Sequence, residues 1–271
     1  MGQPPIPPTP SEANVSGKTV IITGGNAGLG YDAARQYLTL GASRVILACR
    51  SIARGQEAVS SLRADPTVKT SNPDALIEVF ELDLDDYQSG LRFAKKVKDE
   101  VKELDILLNN GGQIKQNTLS KKPIAPESSV LGHFDDEATF SKFFRYADTK
   151  TVINAYARRL AALAPSEVIV NNPCPGLVQT GLDKNLPFYL RIPMGLVRKS
   201  MARTVEEGAR TLIFASVVAG PETNGKFLQH NKVDPGAAFL NTPEGEEFIG
   251  KLWSESVQDV AALDPALSAY A

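Results

Sequence analysis

The stretch Thr19-Val20-Ile21-Ile22-Thr23-Gly24-Gly25-Asn26-Ala27-Gly28-Leu29-Gly30 decides the fold. Its first five residues are an apolar run bounded by threonines, the pattern of a strand buried on both faces of a parallel sheet. The glycines that follow let the backbone turn sharply and approach a phosphate closely. The helix after them offers free N–H groups and the positive end of its dipole. From position 29 onward, apolar or small residues recur at 29, 33, 34, 37 and 38, and Gly41 stands where a helix stop belongs. A glycine-rich turn alone is only a tight turn; between a strand and a helix it reads as a dinucleotide-binding unit.

Outward from this unit the alternation repeats. Strands are predicted at 44–49, 75–83 and 105–109, with helices over 52–63 and 86–103 and a linker over 65–74. After position 145 the pattern resumes with a helix over 147–163, a strand at 167–171, a helix over 205–218 and a strand at 225–228. Strands alternating with helices imply an α/β fold: a single doubly wound parallel sheet of Rossmann type with right-handed crossovers. Residues 113–128, QIKQNTLSKKPIAPES, break the pattern, being polar and cut by Pro123 and Pro126. They give no strand or helix signal, and at most an extended segment is expected over 124–130. Residues 1–16 read as a proline-rich tail, leaving 17–271 as one dinucleotide-binding domain.

With 271 residues, 42% of them apolar and 22% charged, the chain is long enough for one large domain. Lys and Arg number 29 against 31 Asp and Glu, a net charge of −2 that disfavours a nucleic-acid partner. Two cysteines, Cys49 and Cys174, are too few for a disulfide framework and suit a reducing compartment. His133 and His230 show no metal-ligand spacing, and no metal site is expected. No apolar run reaches the roughly 18 residues of a transmembrane helix, and the amino terminus lacks the charge and apolar stretch of a secretory signal. The expectation is a cytoplasmic protein.

Further motifs carry a family resemblance. Gly24-x-x-x-Gly28-Leu29-Gly30 has the glycine spacing of the short-chain dehydrogenase/reductase family. Leu108-Asn109-Asn110-Gly111-Gly112 resembles its N-N-A-G segment, with Gly111 in place of Ala. Leu82-Asp83-Leu84 resembles its adenine-contacting segment. Tyr146-Ala147-Asp148-Thr149-Lys150 matches Y-x-x-x-K, and Pro175-Gly176-Leu177-Val178-Gln179-Thr180 matches P-G-x-V-x-T. The motifs run in the family's order over residues 17–230. The segment ACRS after the second strand and a long stretch at 181–203 resemble the retinol-dehydrogenase-like and fungal natural-product branches.

Cofactor choice is read after the second strand, where a carboxylate binds the ribose hydroxyls of NAD and an Arg accommodates the phosphate of NADP. Ala48-Cys49-Arg50 carries no acid there, and Arg50 can pair a phosphate, so NADP(H) is the expected cofactor. Tyr146 and Lys150, four apart, share one face of a helix. The resemblance implies that Tyr146 passes a proton to or from the substrate oxygen, its phenolate stabilised by the neighbouring ammonium of Lys150. It further implies that Lys150 holds the nicotinamide ribose, that Ser129 in Ser128-Ser129-Val130-Leu131-Gly132 orients the substrate oxygen, and that Val178 and Thr180 hold the nicotinamide carboxamide. The apolar stretch 181–203, with its scattered cations, would be the substrate lid, suited to a hydrophobic small molecule.

Two function classes follow. One is an NADP-dependent oxidoreductase acting on a carbonyl or secondary alcohol, as in secondary metabolism. The other is a catalytically impaired nucleotide-binding member or a shortened gene product, favoured by the short 113–128 segment and by the lack of a residue matching the family's catalytic Asn. The family carries a helix and a fifth strand between N-N-A-G and the catalytic Ser, so the resemblance implies an incomplete fifth strand here and the loss of the preceding helix. Since the family's homodimers form through that helix, dimerisation is left open.

Overall fold

The structure is a computed structural model that describes residues 2–112, 129–137, 145–180 and 201–270. The chain divides into two compact units, Met1–Gln113 with Pro175–Ala219, and Ile114–Cys174 with Gly220–Ala271.

In the first unit, β1 (Thr19–Thr23), β2 (Arg44–Cys49), β3 (Leu76–Glu81) and β4 (Ile106–Leu108) form a parallel sheet in the order β3-β2-β1-β4. The connections are α1 (Gly28–Thr39), α2 (Ile52–Ala64) with the short α3 (Pro66–Ser71), and α4 (Tyr87–Glu100). This is the Rossmann-type α/β architecture read from the sequence. β1 pairs with β2 on one side, Ile21 opposite Ile46, and with β4 on the other, Ile21 opposite Leu107. The chain changes direction of travel across the sheet at β1. The carboxyl end of β1, where the glycine turn lies, is thus the switch-point crevice in which ligands of such sheets bind.

Alternation along the strands feeds two cores. Val20, Ile22, Val45, Leu47 and Leu108 pack with α1, α2 and α7 (Val205–Ile213), around the fully buried Tyr37, Leu38, Leu62 and Ile213. Ile21, Ile46, Ala48 and Phe80 face the other way, towards Phe93 and Val97 of α4. Leu107 shares this second face yet is 50% exposed, while its neighbour across the ladder, Ile21, is 0% exposed. Among the described residues β4 pairs only with β1.

In the second unit, β5 (Asn172–Cys174), β6 (Phe227–Gln229) and β7 (Lys232–Asp234) form a three-stranded sheet, β5 parallel to β6 and β6 antiparallel to β7. The helices are α5 (Val130–Asp135), α6 (Arg145–Leu163) and α8 (Pro243–Ala261). Val130 and Ala155 pack against Phe248, Ile249 and Leu252 of α8, with Leu240 completing this core.

Several sequence expectations are corrected. The 65–74 linker contains α3, because Asp65 accepts from the N–H groups of Thr67 and Val68 and Pro66 starts the helix. The strand read at 167–171 falls instead at Asn172–Cys174, where β6 supplies a partner. Val168 and Ile169 are β-branched but 46% and 41% exposed. The helix read over 205–218 ends as an α-helix at Ile213 and continues as a π-turn over Phe214–Val218. The extended segment expected over 124–130 has its described end in α5, which Ser129 caps; residues 124–128 lie outside the described residues. The same holds for most of the 181–203 lid. No helix among the described residues is long and apolar enough to cross a membrane.

Candidate functional site

Gly24 and Gly28 adopt φ of +64° and +55°, the left-handed region that glycine enters without a Cβ clash. At Gly30 a Cβ would stand 2.5 Å from Asn110 Nδ2 and 2.6 Å from the Gly24 carbonyl oxygen, so only glycine lets α1 start this close to the turn. Asn110 locks the arrangement by donating from Nδ2 to the Thr23 carbonyl at 2.9 Å, and the Gly111 N–H donates to Thr23 Oγ1 at 2.8 Å. The N-cap of α1 is Ala27, which has no side-chain acceptor, and the first turn carries no acidic residue. Its leading N–H groups therefore fit an anionic ligand, and the bare glycine backbone before them fits a pyrophosphate.

The segment 175–180 closes on this turn. The side chain of Thr180 lies 3.8 Å from the position a Cβ on Gly28 would take. Val178 and Leu29 meet over Gly208 of α7, both within 3.0 Å of where its Cβ would be. Gly24, Gly28, Leu29, Gly30, Asn110, Val178 and Thr180 are thus brought together within the first unit. Asp83 lies two residues beyond β3, its Oδ1 accepting from the Asp85 N–H at 3.0 Å. Arg50 follows β2 directly with its side chain 64% exposed, its Nη1 4.0 Å from Asp85 Oδ2.

The other named residues belong to the second unit. Tyr146 and Lys150 both stand in the first turns of α6. The Tyr146 side chain lies outside the described residues, and Lys150 is exposed. Ser129 is the N-cap of α5: its hydroxyl accepts from the Gly132 N–H at 2.9 Å and donates to Glu255 Oε2 at 2.9 Å. Glu255 also accepts from the N–H groups of Val130 and Leu131. Burial pushes the Glu255 carboxyl up, but the bonds from Leu131, Ser129 and Val130 hold it below the ordinary carboxylate value. Sequence reasoning missed Glu255 altogether, since nothing in its local spacing ties it to a serine over a hundred residues earlier.

The short chain dehydrogenase family model matches residues 18–130. The short chain dehydrogenase sor7 of Hypocrea jecorina is 64% identical over 293 aligned positions, covering 88% of this chain and 82% of that protein. This chain is a short-chain dehydrogenase/reductase. Short chain dehydrogenase macD of Penicillium terrestre is 34% identical over 317 positions, covering 96% of each. Among solved structures, L-sorbose reductase of Gluconobacter frateurii, complexed with NADPH and L-sorbose, has the same fold (TM-score 0.59, 19% identity, 83% of this chain and 98% of that one).

Members of this family are NAD(P)-using oxidoreductases. The alignments carry a second fact about this family member. Since 88% of 271 residues is about 238, about 55 of the 293 positions aligned with sor7 have no residue in this chain. With macD, 96% of 271 is about 260, leaving about 57 of 317 positions unmatched.

Proposed function

We propose that the chain is an NADP(H)-dependent oxidoreductase that moves a hydride between the nicotinamide and a carbonyl or secondary alcohol of a hydrophobic small molecule, in the cytoplasm and in secondary metabolism. The observation that carries this reading is the gathering of Gly24, Gly28, Gly30, Asn110 and Thr180 around the end of β1. The absence of a carboxylate at the end of β2, with Arg50 there instead, supports NADP(H) over NAD(H). The relatives are fungal short chain dehydrogenases, which supports the natural-product setting.

NADP(H) would supply or take the hydride. The glycine turn and the N-terminus of α1 hold its pyrophosphate, Arg50 pairs the ribose phosphate, Asp83 accepts from the adenine amino group, and Val178 and Thr180 hold the carboxamide. Tyr146 exchanges a proton with the substrate oxygen, and Lys150, one helical turn on, favours the phenolate and binds the ribose. Ser129 orients the substrate oxygen, which requires its hydroxyl to exchange Glu255 for substrate. The test is NADPH binding by fluorescence, followed by NADPH oxidation with a panel of hydrophobic ketones. Tyr146→Phe should lower turnover about a hundredfold or more while NADPH still binds; near-full activity would remove Tyr146 from the reaction.

A second reading, a family member with weak or no turnover, is favoured by the half-exposed Leu107 together with the 55 or so unmatched positions. NADPH binding without oxidation across the ketone panel would select it.

A further inference from the structure

The proline-rich segment before β1 is not a loose leader in the first unit. Ile6 is 3% exposed, its N–H donates to Glu207 Oε1 at 2.8 Å, and Arg210 Nη1 donates to its carbonyl at 3.3 Å. Gln3 pairs with Leu177 as a neighbouring strand would. Its Oε1 accepts from the Leu177 N–H at 2.8 Å, and its Nε2 donates to the Leu177 carbonyl at 2.8 Å and the Met201 carbonyl at 3.1 Å.

Leu177 belongs to a small parallel pairing. Val178 bridges Arg203, the Arg203 N–H donates to the Leu177 carbonyl, and the Gln179 N–H donates to the Arg203 carbonyl, both at 2.9 Å. The Arg203 side chain, 3% exposed, donates from Nη1 to the Pro175 carbonyl at 2.8 Å and from Nη2 to the Pro4 carbonyl at 2.6 Å. Its Nε stands 3.5 Å from Glu207 Oε1. A guanidinium buried this deeply stays only where its partners are held in place, and one of those partners is the backbone of the tail. Gly176, at φ +74°, has no Cβ because one would overlap Gln3 Oε1 and come within 2.6 Å of Arg203 Nη1.

We propose that residues 3–6 are a strap, with Gln3 and Arg203 as positioning residues, that fixes the 175–180 segment and so holds Val178 and Thr180 beside the glycine turn. Proline suits the task. A Pro-rich segment is extended before it binds, so little chain entropy is lost when it lies down. Pro4 and Pro5 offer no N–H that would go unpaired along the strap. The role given to Val178 and Thr180 rests on the cofactor reading above.

The experiment is hydrogen exchange on the 271-residue chain with Gln3→Ala, alongside NADPH titration. Amide exchange at 177–179 is expected to quicken about tenfold, as for the loss of a stabilising hydrogen bond, with β1 and β2 unchanged. NADPH affinity should weaken several-fold. Gln3→Glu, which sets a carboxylate oxygen against the Leu177 and Met201 carbonyls that Nε2 serves, should quicken exchange at least as much as Gln3→Ala; exchange as slow as in the native chain would overturn the strap. Unchanged exchange at 177–179 in Gln3→Ala overturns the strap. Quickened exchange with unaltered NADPH affinity supports the strap and overturns the carboxamide role of Val178 and Thr180, so the two readings fail separately. Should Gln3→Ala unfold the unit, Arg203→Lys removes the two-pronged donor while keeping the charge, and the same amides are read; unchanged exchange there also overturns the strap.

Discussion

At the scale of single residues, the site divides into groups already committed and groups still available. Arg50 is the more available: its side chain is 64% exposed, and its ion pair with Asp85 Oδ2 is long, at 4.0 Å. A charged, bidentate contact to a phosphate is worth on the order of 1.5–3 kcal/mol when sheltered, and solvent screening at so exposed a site places it at the low end. NADPH should therefore bind more tightly than NADH, and Arg50→Ala should erase about a tenfold preference. Equal binding of the two coenzymes by the native chain would sink that assignment. Ser129 is committed, donating to Glu255 and accepting from Gly132. Ser129→Ala should cost about 0.5–2 kcal/mol of stability through the lost cap. If the hydroxyl also orients substrate, turnover at saturating coenzyme should fall by a further large factor. Lost stability with unchanged turnover would confine Ser129 to capping.

At the scale of elements, β1 and β2 were legible to the residue, because each is a short, largely apolar run closed off by turn signals. The glycine turn and α1 were legible for the same reason: local chemistry and tertiary role agree. α3 was legible and overlooked: Asp65-Pro66 is a helix-start signal. Thr242-Pro243 is the same signal, and the nineteen-residue α8 begins there. The strand at 167–171 could not have been placed from propensity, since its position depends on where β6 offers a ladder. Nor was the tie between α5 and α8 readable, because Glu255 reaches the start of α5 only through the fold. That tie has a pH signature. A carboxyl whose folded pKa is lowered adds stability that is fully present above its unfolded pKa and lost as the pH falls through the lower folded value. Glu255→Gln should thus lower the Tm at neutral pH, and the gap to the native chain should close in acid. A gap that holds constant down through the carboxylate range would show that the charge of Glu255 is not its source.

At the scale of the whole molecule, the question is what stands beside β4. Ile106 and Leu108 face the first core, whereas Leu107 turns to the other face and is half exposed, although Ile21 and Ile46 on that face are fully buried. A neighbouring strand and a covering helix would bury Leu107 and pair the edge of β4 that has no partner strand among the described residues. A helix of about 11 residues, a strand of about 5 and their connections need more than 20 residues. The 16 residues at 113–128 cannot supply them, while about 55 aligned positions of sor7 find no residue in this chain. The 271-residue chain is therefore expected either to be a shortened form of a longer gene product or to turn over weakly or not at all. At 29.1 kDa for 271 residues, a chain with about 55 more would be heavier by about 6 kDa, which intact mass of the natively produced protein reads directly. Replacing 113–128 by the corresponding segment of sor7 should raise the Tm, slow hydrogen exchange along β4 and raise turnover with NADPH, while NADPH affinity, most of whose proposed contacts lie in the first unit, should change less. A native mass of 29.1 kDa together with ordinary turnover by the 271-residue chain would overturn this, and would mean that a half-exposed Leu107 is compatible with a working enzyme.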